Sequence, residues 1–295
     1  MMEMNYANSG MRRRIILWVL AVMLTLPTIY YQRRTGPTRP LRVAYEMGGE
    51  QFKGKLLRTE VTTENAAIAV PAPDGAEGRL LYKRFGTDDP FSTALMEFED
   101  GLLTGRLPAQ PPAGKLDYHV RVRCAGEEVR LPRSETEQVT IRFKGAVPVW
   151  VLAPHILFMF LSLLVGLRTG LAGIFDPKGL RELFGVTFLF LTLGGMFLGP
   201  CVQKYAFGEF WTGWPNGKDL TDNKTLIMWL GWAAAGVAML LLNRRKLVVA
   251  RGAVVLATAL MITIYLIPHS LRGSSLNYQA LDQGVSAEEA IETGK

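Results

Sequence analysis

Four stretches of this chain are long and apolar enough to cross a lipid bilayer: Val147–Leu167, Phe184–Val202, Thr225–Leu242 and Leu247–Ile267. Hydrocarbon offers no partner to a backbone N–H or C=O, so each must be helical, and roughly 20 residues at helical rise suffice to span it. None contains Asp or Glu, and Arg251 lies near one end of the last. A shorter run, Ile15–Tyr31, follows Arg12-Arg13-Arg14, the layout of a secretion signal. The residues from Leu26, Leu-Pro-Thr-Ile-Tyr-Tyr-Gln, lack a pair of small residues for cleavage, so the run reads as a retained signal anchor. The expectation is an all-α membrane bundle of five helices.

Lys and Arg collect on the cytoplasmic side of membrane proteins. The arginine triplet puts the N-terminus inside, and counting spans then places Asn243-Arg244-Arg245-Lys246 inside as well. Arg168, Lys178 and Arg181 agree, while Arg33 and Arg34 vote the other way. On balance the N-terminus is inside and the C-terminus outside, in a bacterial inner membrane. The formal charge is +7, and many of the basic residues flank apolar runs. It therefore points to the lipid bilayer as partner and not to nucleic acid.

Residues 41–146 have a different texture: short alternating runs separated by turn signals. Leu57–Thr62, Ala66–Val70, Leu80–Arg84, Leu102–Leu107, Leu116–Arg123, Glu128–Leu131 and Gln138–Phe143 read as strands. In Asp117-Tyr-His-Val-Arg-Val-Arg, Tyr118, Val120 and Val122 share one face, which leaves His119 on the other, read as solvated. Seven short strands at these intervals fit an all-β sandwich. The organisation is then 1–40, signal anchor and linker; 41–146, extracytoplasmic sandwich; 147–271, four further spans with an outer loop at 202–224; and 272–295, a polar tail.

The segment from Gly105 through Leu107-Pro108, Gly114 and Tyr118 to the Ala125-Gly126 hairpin resembles extracytoplasmic fibronectin type III-like domains. The resemblance covers about a third of the chain and implies a sandwich used as spacer or binding module. The Cys…Trp…Cys pattern of true immunoglobulin domains is absent. Cys124 and Cys201 match no metal or redox spacing and read as isolated small residues, their pairing left open.

The loop between the third and fourth spans carries the densest chemistry. Phe207, Phe210, Trp211 and Trp214 fall at i, i+3, i+4 and i+7, which predicts a short helix over 202–214 with its aromatic face on the outer membrane surface. Pro215-Asn-Gly-Lys ends it, and Thr221 or Asp222 is placed to cap the next helix. Tyr205, the four aromatics, Lys218, Asp219, Asp222, Asn223 and Lys224 make up the candidate interaction surface, the last charges supplying complementarity to a partner. Calcium-loop spacing is absent.

Two histidines follow prolines: His155 inside the second span and His269 at the outer end of the last. Two helices each offering an imidazole in one leaflet is an arrangement that ligates haem b, with a quinone site as a variant. The bland alternative is interhelical and interfacial hydrogen bonding. No phosphate loop, nucleophile elbow or zinc-ligand pair occurs, and no acidic residue lies within the spans as a transporter would require. The primary expectation is a non-catalytic scaffold, assembly factor or sensor engaging an envelope protein or complex, without a cofactor. Its rivals are an electron-transfer subunit built on His155 and His269, and an enzyme of lipid or polysaccharide using Asp219 or Asp222 as base.

Overall fold

The computed structural model describes residues 2–241, 247–268 and 273–293, with side chains from residue 10 onward. It comprises two compact units, one helical and one β-rich.

The helical unit takes residues 1–36, 147–204 and 209–271. Its elements are α1 (Met2–Thr35), α2 (Val149–Phe175), α3 (Leu180–Leu191), a π-helical segment (Thr192–Leu198), α4 (Gly199–Phe207), α5 (Leu220–Leu241) and α6 (Leu247–Leu266). Among the described residues five helices are long and apolar enough to cross a membrane, the third formed by α3, the π segment and α4 together. The chain is a multi-pass membrane protein. Leu240, Val248 and Leu256 point outward, as lipid-facing side chains do.

Inside the unit, α2 is the central element. Gly166 and Gly170 present a bare strip to α6: a Cβ on Gly170 would stand 2.6 Å from Thr258, and one on Gly166 would stand 2.7 Å from Met261. Small residues let the two backbones close, and in lipid that van der Waals contact replaces the missing hydrophobic drive. Trp232 is fully buried beside them, its ring 5.8 Å from that of Phe184. Interhelical polar bonds complete the packing: Tyr265 donates to the Met159 carbonyl (2.7 Å) and Trp229 Nε1 to Thr192 Oγ1 (2.9 Å).

The spans are not free of charge as the sequence suggested. α2 does not stop at Leu167 but runs to Phe175, which takes Arg168 inside the helix and buries it. α5 starts at Leu220, so Asp222 and Lys224 lie in its first turns, also buried. The run after Arg168, Thr-Gly-Leu-Ala-Gly-Ile-Phe, is apolar enough to continue the helix and was readable as such. The Asn243–Lys246 cluster lies outside the described residues.

The β-rich unit takes residues 37–146, 205–208 and 272–295. A hairpin, β1 (Leu41–Met47) and β2 (Glu50–Leu56), precedes β3 (Thr59–Val61), β4 (Ala66–Pro71), β5 (Glu77–Arg84), β6 (Ser92–Glu99), β7 (Leu102–Leu107), β8 (Lys115–Cys124), β9 (Glu127–Leu131) and β10 (Val139–Lys144). Eight of these form one mixed sheet in the order β3-β10-β8-β5-β6-β7-β4, with β9 added to β8. The β3–β10 pair is parallel. β6 turns the corner: Ser92–Met96 pair with β5 and Glu97–Glu99 with β7. The sheet therefore curls into a nearly closed, barrel-like form, and nothing in its topology identifies it as fibronectin type III-like. Inward residues such as Ile68, Leu80, Leu103, Tyr118, Val120 and Phe143 form one core. Tyr118 donates to the Leu57 carbonyl at 2.8 Å, and Tyr45 to that of Pro71. Burial pushes the Tyr45 phenol up to about 12.

His119 is a correction. It does face away from the Tyr118 side, yet it is only 5% exposed. Phe91 packs edge-on against its ring, with centroids 5.1 Å apart, and both ring nitrogens are buried without a partner. Burial, then the positive charges of Arg130 and Arg121, lower its pKa to about 4.

Residues 273–293 of the tail belong to the β-rich unit. They hold α7 (Tyr278–Asp282) and a pair of two-residue strands, β11 (Ser275–Leu276) and β12 (Ile291–Glu292). The Tyr278 hydroxyl accepts from the Lys115 N–H (3.0 Å) and donates to the Lys115 carbonyl (2.9 Å). Arg84 binds Asp89 and Asp282 together, holding both carboxyls below their ordinary pKa. At residue 145, the Gly145 N–H bonds the Ala206 carbonyl (2.9 Å), and Arg142 sits 6.0 Å over the Phe207 ring.

Candidate functional site

The predicted helix over 202–214 forms only as far as Phe207. α4 ends at Phe207, and Gly208 takes φ +90°, a left-handed value that L side chains resist and glycine accepts. From there to Asp219 the chain is an irregular loop held by the start of α5. The four aromatics consequently do not share a helical face. Phe207 and Tyr205 belong to the β-rich unit, whereas Phe210, Trp211 and Trp214 belong to the helical one.

What holds the loop is a set of buried polar bonds. Asp222 Oδ2 accepts from the Thr212 N–H (2.7 Å) and from its hydroxyl (3.1 Å), while Gln203 Nε2 donates to that hydroxyl at 2.8 Å. Asn223 Oδ1 accepts from the Trp214 N–H at 2.6 Å. Gly213 makes the approach feasible, because a Cβ there would stand 2.7 Å from Asp222 Cβ. Asp219 is the N-cap: its Oδ1 accepts from the N–H of Thr221 (2.7 Å) and of Asp222 (3.4 Å), at the positive end of the helix dipole. The cap expected at Thr221 or Asp222 therefore falls at Asp219, which leaves Asp222 free to hold the loop. Lys224 donates to the carbonyls of Ile267 (2.9 Å) and Pro268 (3.2 Å), closing the C-terminal end of α6 with a cation.

These bonds overturn one expectation about charge. Asp219, Asp222 and Lys224 are buried, so they do not supply charge to an outer surface. The surface is aromatic instead. Trp214 is 68% exposed and Phe210 57% exposed. Lys204 Nζ lies 5.6 Å over the Phe210 ring, a cation–π contact. The half-buried Trp211 donates its indole N–H to the Trp214 carbonyl at 3.0 Å, which fixes the two rings relative to each other. Lys218 is exposed.

His155 Nδ1 lies 2.9 Å from the Gly194 carbonyl in the π segment. A carbonyl can only accept, so Nδ1 carries the proton and Nε2 the lone pair. A metal-bound histidine has its second ring nitrogen tied in this way. His269 lies outside the described residues, so the two-histidine pair has no geometry to weigh. Among the described residues, no group of three or more His, Cys, Asp or Glu side chains is placed to hold a metal. Cys124 and Cys201 are both free thiols.

Sequence reasoning placed Arg168 in an inner loop, whereas the structure buries it within α2. Its guanidinium packs over the Trp18 ring at 5.6 Å, with Nε and Nη1 buried and unpartnered, while Arg14 approaches Asp176 at 3.9 Å. No known protein family matches the chain, and no curated protein matches it.

Proposed function

We propose that this chain is a non-catalytic membrane component, a scaffold, assembly factor or sensor for an envelope protein complex in a bacterial inner membrane. In this reading the N-terminus is inside, and the β domain, the loop and the tail are outside. The β domain, which has a segment resembling fibronectin type III-like modules, is a spacer or binding module. One observation carries the reading. The buried charged groups of the loop, Asp219, Asp222 and Lys224, are engaged in holding backbone, while Phe210 and Trp214 are left mounted and exposed. A carboxylate that already accepts two hydrogen bonds from Thr212 is poorly suited to take a proton from a substrate. A rigid aromatic pair loses little entropy on binding and suits a contact surface. Affinity capture of the full chain from its native membranes, with and without Phe210→Ala and Trp214→Ala, tests it. A defined partner lost in the double variant supports the reading, and an identical capture in both sinks it.

The electron-transfer reading rests on His155, with its Nδ1–H tied to Gly194 and its Nε2 lone pair available. A stoichiometric Soret band in purified protein, lost in His155→Ala, would replace the scaffold reading with this one.

A further inference from the structure

A groove of about 530 Å³ lies on the β domain, between the β1–β2 hairpin and the β4 edge. Its floor is apolar, made by Ala69, Pro71 and Leu102. Its rim carries Arg42, Lys53 and Lys55. The hairpin register explains why the three cations gather. Arg42 stands opposite Lys55 and Ala44 opposite Lys53, so all three side chains leave the same, outward face of the ribbon. The inward face holds Val43, Tyr45 and Met47.

Like charges directly opposite on a ribbon cost stability unless something neutralises them. Among the described residues none of the three side chains makes an ion pair or a hydrogen bond. Glu46, the next residue on that face, pairs with none of them. Among the described residues three unpaired cations therefore stand around an apolar trough whose volume falls within the ordinary range of ligand sites, about 300–1,000 Å³.

We propose that this groove binds an anionic acyl lipid, its hydrocarbon on the floor of Ala69, Pro71 and Leu102 and its phosphate among Arg42, Lys53 and Lys55. The lining favours a lipid over an acidic peptide. No hydroxyl, amide or carboxylate side chain lines the groove, so it offers little to a peptide's backbone and much to hydrocarbon. β4 is an edge strand, paired only with β7, but Pro71 within it has no N–H to give to an added strand. The inference is independent of the scaffold reading, because it uses neither the aromatic loop nor the histidines.

The test is photolabelling of the full chain in phosphatidylcholine vesicles. The probe is a phosphatidic acid with a diazirine in one acyl chain, and the control is the diacylglycerol of the same chains. Cross-linked peptides are mapped by mass spectrometry. The expected result is label on 41–56 and 66–71 from the phosphatidic acid, with at least about tenfold less from the neutral control. Arg42→Gln/Lys53→Gln/Lys55→Gln should lower that label by about tenfold while labelling of the spans stays unchanged. Ala44→Trp, which fills the groove from an exposed position and leaves the charges in place, should lower it too. Label confined to the spans, or equal from the neutral lipid, overturns the proposal. So does loss of label to an acidic, leucine-rich peptide but not to unlabelled phosphatidic acid.

Discussion

The start of α5 and the outer face of β8 both bury charged or titratable groups, and they do so in opposite ways. Around Asp222 every bond has a donor and an acceptor: Thr212, Gln203 and Trp214 reach Asp222 and Asn223, and Asp219 caps the helix. Around His119 nothing reciprocates, since both ring nitrogens are buried and unpartnered against Phe91 and two arginines. A buried polar group is a structural asset when partnered and a cost when not. The first region is therefore a staple that fixes a loop. The second is a place where stability depends on keeping a proton off.

The contrast can be broken by substitution. Asp222→Ala should have the largest effect, about 2–3 kcal/mol, because it strands the Thr212 N–H in a buried site. Thermal unfolding of reconstituted protein, and protease cutting within 208–219, would read it. An unchanged melt would mean the staple holds nothing.

The β8 face should behave inversely with pH. Its folded pKa is lowered to about 4, so the unfolded chain binds a proton that the folded chain refuses. Stability from this residue is full above the unfolded value, about 6.5, and is lost as pH falls toward 4, by roughly 2–3 kcal/mol. His119→Leu should be neutral or stabilising at pH 7 and should flatten the decline in melting temperature between pH 7 and 5. A variant as acid-sensitive as the parent would remove His119 from the account.

Asp219→Ala removes only a helix cap, a loss of about 1 kcal/mol, and Asp219→Asn should recover most of it. The smallest effect belongs to Asp282→Asn. Arg84 holds that carboxyl below its ordinary pKa, so its contribution is present at neutral pH and disappears as pH falls through the lowered value. The pair is exposed, so the expected sign is faster proteolysis of the tail with little change in the melt.

Much of the architecture was legible in the chain. β7 falls on Leu102–Leu107 as its alternation predicts. The β1–β2 hairpin was missed although Leu41, Val43, Tyr45 and Met47 alternate toward a Gly48-Gly49 turn. β6 was missed as well, although Ala94, Met96 and Phe98 alternate along it. The aromatic loop misled in the other direction. Its helical spacing is real, yet Gly208 breaks the helix and the bonds to Asp222 and Asn223 hold the rest irregular.

The sequence by itself determined that five helices suit a lipid bilayer and that a separate region is built of strands. Both follow from local rules: an apolar run must satisfy its own backbone in hydrocarbon, and a half-buried strand must alternate. Only the tertiary structure decided which polar residues are buried and whether they are partnered. Burial at Asp222, Lys224, Arg168 and His119 depends on elements tens of residues away, and no local pattern encodes what those elements bring.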